Sequence, residues 1–194
     1  MKVRFLYHKP IGEHGVGKAI VGLTWVYALF YSWKALKFNY SHEEIWLPDE
    51  DECFERVSMP MECDKILSRE YLGKCFSSTT RGDAEGVRFA PASEVLKHPE
   101  RWDYVECIVS DNAYEGFKAE ADKLVGKKYD FLGIFGFLNP FPVHSKMKWY
   151  CSEICNWAKK LLRITRKKSK RISPRKSAYK MVKAGHKLKS LKGE

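Results

Sequence analysis

Charge is divided so unevenly along this chain that it constrains the fold before any motif does. Of the 194 residues, the stretch from Ala158 to Glu194 holds 15 Lys/Arg and one acid, a net +14. The first 157 residues hold 20 Lys/Arg against 23 acids, a net −3, so the formal +11 of the whole belongs to the C-terminal end. This predicts a near-neutral globular body with a basic extension rather than a uniformly basic nucleic-acid binder. Hydrophobic residues at 44% and aromatics at 14% are enough to fill one core, which excludes wholesale disorder, collagen and coiled coil. The length suits one domain, taken as residues 1–163. Residues 164–194 then form a tail, mobile or ordered by a partner, with room for a helix near Ser177–Leu188.

Along the body, Lys2–Tyr7 reads as a strand and Lys18–Lys37 as a helix. Ser41–Leu47, Lys74–Thr80 and Val87–Phe89 read as strands, with turns or loops at Pro48–Glu55 and Arg81–Gly86 and an ambiguous stretch at Met59–Leu72. Val105, Cys107 and Val109 alternate along Trp102–Val109, as in a half-buried strand. Asp111–Val125 is amphipathic, with Ala113, Tyr114, Phe117, Ala121, Leu124 and Val125 inward and Gly126 as the stop. Lys127–Trp149 is an aromatic loop interrupted by Gly and Pro, and Tyr150–Arg163 is a second helix. Strands followed by helices give an α+β fold with an antiparallel sheet and segregated helices.

Six cysteines (Cys53, Cys63, Cys75, Cys107, Cys151, Cys155) lie too sparsely for a secreted disulfide scaffold. The charged opening Met1–Tyr7 is no signal peptide. Reduced, buried thiols in a cytosolic protein are expected. The longest uncharged run, Ala19–Trp33, has 15 residues. A membrane-spanning helix needs roughly 20 apolar ones. It therefore reads as a core helix, with shallow membrane contact the other option.

Two residues carry the chemistry. Cys151 opens a helix, where the positive end of the helix dipole favours thiolate over thiol, and a thiolate there is a good nucleophile. The competing reading is a buried core thiol, because Cys151, Ile154, Cys155, Ala158, Leu161 and Leu162 share one helical face. His42 stands at the head of a strand, where an imidazole can take a thiol's proton; a surface or core histidine is the plainer alternative. Cys151 and Cys155 are one turn apart, but no second cysteine pair at finger-like spacing supports zinc, so neither a metal nor a cofactor is expected. Gly15-Val16-Gly17-Lys18 lacks the rest of a phosphate loop.

Taken in order, four segments resemble the circularly permuted papain-like cysteine hydrolases of the NlpC-type superfamily, the YiiX/YaeF-like branch with its phage-encoded members. They are Tyr40-Ser41-His42-Glu43-Glu44-Ile45, then Cys75-Phe76-Ser77-Ser78 with Gly86-Val87-Arg88-Phe89, then Gly126-Lys127-Lys128-Tyr129-Asp130, and last Tyr150-Cys151-Ser152-Glu153. The likeness spans roughly residues 1–160, and His42 preceding Cys151 matches the permuted order. It implies a permuted papain-like fold and an amidase, peptidase or acyl-ester or thioester hydrolase with Cys151 as nucleophile and His42 as base. Ser77 takes the third, histidine-orienting place; Glu44 could substitute for it, and Tyr129 and Glu44 are expected at the substrate. The alternative is a catalytically weak or inactive binding or virion-associated module on the same fold. The aromatic loop either fills the core or forms an apolar wall beside Cys151 suited to an acyl group. The basic 164–194 segment is expected to bind a polyanion, nucleic acid or an anionic surface, through its phosphates or equivalent charges.

Overall fold

A computed structural model describes residues 1–11, 22, 23, 25, 26, 33–48, 72–80, 85–130, 148–165 and 172–192. Six strands form one antiparallel sheet: β1 (Lys2–His8), β2 (His42–Leu47), β3 (Lys74–Thr79), β4 (Gly86–Pro91), β5 (Trp102–Ile108) and β6 (Leu188–Ser190), in the order β4-β3-β2-β1-β5-β6. Among the described residues, the helices α1 (Ala92–Val95), α2 (Asp111–Asp122), α3 (Cys151–Leu161) and α4 (Pro174–Lys183) accompany it. The fold is mixed α+β, as the order of elements implies. Among the described residues, no helix is long and apolar enough to cross a membrane.

The period-two alternation of the strands builds two cores, one on each face of the sheet. Val3, Phe5 and Tyr7 of β1, Ile45 and Leu47 of β2, Phe76 of β3 and Val105 and Cys107 of β5 meet α2, α3 and α4 through Tyr114, Phe117, Ile154, Cys155, Ala158, Ala178 and Met181. The intervening residues Leu6, Trp46, Cys75, Trp102 and Tyr104 pack with Ala92, Leu96 and Leu191 on the other face. Hence β5 is not half-buried: Trp102 and Tyr104 are covered as well as Val105 and Cys107. The guanidinium of Arg4 lies 4.5 Å from the Trp46 ring centroid and 5.0 Å from that of Tyr104, helping to cover this second face.

Helix α2 is capped by Ser110, whose side chain accepts from the Ala113 N–H. It ends at Asp122, three residues sooner than expected. Val125 therefore falls beyond its inward stripe and is exposed, while Gly126 turns the chain at a φ of 82°.

The basic C-terminal stretch is not a loose tail over 172–191. Ser173 caps α4, accepting from the Lys176 N–H. Ile172, Arg175, Ala178, Met181 and Leu191 are buried, and β6 extends the sheet by pairing with β5. The reason is legible afterwards. Ala178 and Met181 are small or apolar at helical spacing, and Arg175 buries its stem while its head donates to the Leu36 carbonyl at 2.8 Å and the Asn39 side chain at 2.9 Å. Most of the helix expected at Lys18–Lys37 lies outside the described residues, as do 49–71, the turn at 81–84, the aromatic loop at 131–147 and residues 166–171.

Candidate functional site

His42 is the first residue of β2, and its ring is buried. Its Nε2 lies 3.0 Å from Oε1 of Glu44, itself buried, and the same oxygen is 3.5 Å from Nη2 of Arg88 on β4. Residues i and i+2 of a strand project in parallel, yet glutamate is long enough to lean back along the strand and reach the ring. The Trp102 ring stands edge-on, 6.4 Å from the imidazole. Next to it on β1, His8 pairs with His42 in register, and its Nδ1 is 3.3 Å from the Ser41 hydroxyl.

This arrangement corrects two expectations. Ser77 does not orient His42; its hydroxyl donates to the Glu43 carbonyl at 2.8 Å and approaches the Ser78 carbonyl at 3.4 Å. The pairing of β2 with β3 begins at Ile45↔Phe76, and the Glu43 carbonyl takes side-chain donors, Ser77 Oγ and, at 3.5 Å, Cys155 Sγ. The side chain that contacts the His42 ring is that of Glu44, which also meets Arg88.

Cys151 is the first residue of α3, with Tyr150 in extended conformation as its N-cap, and its side chain is only 2% exposed. Trp149, two residues before Cys151, is fixed from two sides. Ser78 Oγ donates to the Trp149 carbonyl at 2.6 Å, and Asp130 N–H donates to the same oxygen at 3.1 Å. Tyr129, which was expected at the substrate, is buried and forms a parallel bridge with Trp149. Glu153, at the third position of the helix, accepts from the Tyr150 backbone N–H, half of a capping box. Burial, reinforced by the charge of Asp130, pushes the Glu153 carboxyl up to about 8.

Helix α3 packs on β2 and β3, and the side chains beneath it are Glu43, Ile45 and Leu47. His42 and Glu44 belong to the alternate pleat. Ser78 is level with Glu43 across the β2–β3 pair, so the start of α3 and the start of β2 stand at the same end of the sheet. An encounter of sulfur and imidazole across the helix–sheet junction was expected. The alternation instead turns the His42 side chain to the face of the sheet opposite α3, toward Trp102.

Sequence reasoning missed a buried polar cluster under α3. Lys159 Nζ donates to Glu43 Oε1, to Ser177 Oγ at 2.6 Å and to the Tyr7 hydroxyl at 3.2 Å, and lies 4.6 Å from the Phe5 ring centroid. Ser177 Oγ donates in turn to Glu43 Oε1 at 2.9 Å. Burial raises the Glu43 carboxyl, and the ammonium of Lys159 opposes that rise. The available signal was positional: Lys159 follows Cys155 by four residues, on the inward stripe of the helix.

Cys75, Cys107, Cys151 and Cys155 are buried, and burial pushes the Cys107 thiol up to about 11. Cys53 and Cys63 lie outside the described residues. Comparison of the chain with protein-family models, with curated proteins and with solved structures finds no match.

Proposed function

We propose that the chain is a cysteine hydrolase on a permuted papain-like fold, with Cys151 as nucleophile and the His42–Glu44 pair as its proton-transfer unit. The observation that carries this reading is the 3.0 Å contact between His42 Nε2 and the buried Glu44 carboxylate. A carboxylate there holds the ring and stabilises the imidazolium that forms when sulfur gives up its proton. With Nε2 so engaged, Nδ1 is the atom that exchanges protons. The Cys151 thiolate attacks the carbonyl carbon of an amide, ester or thioester. The tetrahedral intermediate collapses to a thioester as the leaving group departs with the proton held by His42. Water, deprotonated by the same ring, then releases the acid and restores the thiol.

The test is labelling by an acyl-type cysteine probe. Wild type is expected to react at Cys151, His42→Ala to react much more slowly, and Cys151→Ala not at all. Full labelling of Cys151→Ala refutes the nucleophile. A second reading, a non-catalytic binding module, is favoured by the 2% exposure of Cys151 and by the placement of His42 on the pleat away from α3. It predicts a wild type as inert as Cys151→Ala.

The basic 164–194 segment is proposed to bind a polyanion. Because α4 and β6 are part of the core and the sheet, truncation would expose apolar surface. Charge-neutralising variants of the full chain on heparin are the appropriate test.

A further inference from the structure

The two residues that flank Cys151 are both tied to one residue of the C-terminal segment. The Ser152 hydroxyl donates to the Ile172 carbonyl at 2.6 Å, and the Tyr150 hydroxyl accepts from the Ile172 N–H. Tyr150, Ser152 and Ile172 are all buried. The local sequence provides for this. Pro174 opens α4, and the residue before a proline is kept out of the helical region. Ser173 is accordingly extended, at φ −89° and ψ 159°. The chain arriving at α4 makes no helical bonds of its own, so both backbone groups of Ile172 go to side chains of the neighbouring helix.

Beyond Ile172 the segment is anchored. Ser173 caps α4, Arg175 is bonded to Leu36 and Asn39, and Ser177 donates to Glu43 and accepts from Lys159. Ile172 is therefore held from the α4 side, while its attachment to the first turn of α3 runs through two side-chain bonds. Cys151 lies between the residues that make them and is only 2% exposed. A thiolate that attacks a carbonyl carbon must come into contact with it, so a nucleophile this deeply covered is latent.

We infer that Ile172 and Ser173 form a strap across the first turn of α3, and that access to Cys151 depends on release of its bonds to Tyr150 and Ser152. The inference rests on the hydrolase reading and deepens it by naming what holds the nucleophile closed. Opening of this kind is a local event, distinct from unfolding of the helix. Each bond joins buried polar groups, so removing one leaves its partner unsatisfied and shifts the opening equilibrium by roughly tenfold. Cys155 supplies an internal reference. It lies one turn further along α3, and its thiol points to the Glu43 carbonyl on the sheet, so release of the strap leaves it covered.

The experiment alkylates the full chain with iodoacetamide and follows Cys151 and Cys155 separately by peptide mass spectrometry. In wild type Cys151 should react slowly, and urea below the unfolding transition should speed Cys151 before Cys155. Tyr150→Phe/Ser152→Ala should raise the rate at Cys151 roughly tenfold or more and leave Cys155 unchanged. Equal gains at both cysteines mean that the helix loosens as a whole, and an unchanged Cys151 means that these bonds do not control it; either result overturns the strap. The urea series on wild type decides the same question if the double variant does not fold. Failure of the hydrolase reading looks different. If the released Cys151 is alkylated faster yet stays inert to the acyl-type probe, the strap stands and the nucleophile assignment falls.

Discussion

Replacing Lys159 with methionine keeps the unbranched stem beside Phe5 and Tyr7 and removes the ammonium that faces Glu43. The Glu43 carboxyl, 0% exposed, must then either stay ionised in apolar surroundings or take up a proton. Protonation is the cheaper course. An ordinary glutamate ionises near 4.5, so holding the proton at pH 7 costs about 3.4 kcal/mol, at about 1.36 kcal/mol per pH unit. At pH 5 the same proton costs only about 0.7 kcal/mol. The sign follows from proton counts. The folded variant keeps a proton that the unfolded chain releases above 4.5, so the variant loses stability as pH rises. Burial already raises Glu43 in the wild type, so Lys159→Met is expected to lose at most about 3 kcal/mol at pH 7 and at most about 1 kcal/mol at pH 5 relative to wild type. Urea titrations followed by tryptophan fluorescence at several pH values measure both numbers. The double variant Glu43→Gln/Lys159→Met has no group to titrate and should show a loss that does not change with pH. If the single variant loses the same amount at every pH, the ammonium is not compensating a buried charge and the reasoning fails.

Three further outcomes are expected. Glu153 has its carboxyl raised to about 8, so stability falls as pH rises from about 4.5 to about 8. Glu153→Gln, which can still accept from the Tyr150 N–H, should come close to wild type at pH 5 and exceed it by about 4 kcal/mol at pH 8; a difference that is the same at both pH values rules this out. Gly86 has a φ of 109°, and a Cβ there would collide with the Lys127 carbonyl, whereas Gly185 has a φ of 95° in open space. Gly86→Ala should cost about 2–4 kcal/mol and Gly185→Ala about 1 kcal/mol, and equal losses in thermal melts would remove the steric argument. Glu44→Gln takes away the carboxylate facing His42, so the ring resonances should shift by NMR, with His42→Gln assigning the signals; unmoved resonances deny Glu44 its contact with the ring.

The elements that the sequence made legible were those whose patterns have one physical cause. Strand alternation and the 3.6-residue stripe located β1, β2, β3, β5, α2 and α3 to within a few residues. The basic end was misjudged because charge dominated its composition. Only Ala178 and Met181 at helical spacing, with Leu191 beyond them, showed that it had an inward side. The partner of His42 was legible in identity but not in geometry. Glu44 stood two residues away, and the parallel projection of i and i+2 argued against it, while only the fold could show Ser77 bonded to the Glu43 carbonyl. Arg88 is distant in sequence, and it reaches Glu44 because β4 and β3 bring it alongside β2.

Three successive residues of β2 connect these findings. His42 and Glu44 face one pleat and hold each other, while Glu43 faces the other and is held by Lys159 of α3 and Ser177 of α4. The ion pair that joins α3 and α4 to the sheet is therefore anchored on the residue between the two members of the candidate proton-transfer pair. A strand fixed from both faces at consecutive positions has little freedom to shift in register or twist. The His42 ring is thus set by its own bond to Glu44 and also by the packing of the basic C-terminal helix on the far side of the sheet. Burying a charged pair is a poor route to stability alone. Its location here is better explained as fixing where β2 lies relative to the helix that begins with Cys151.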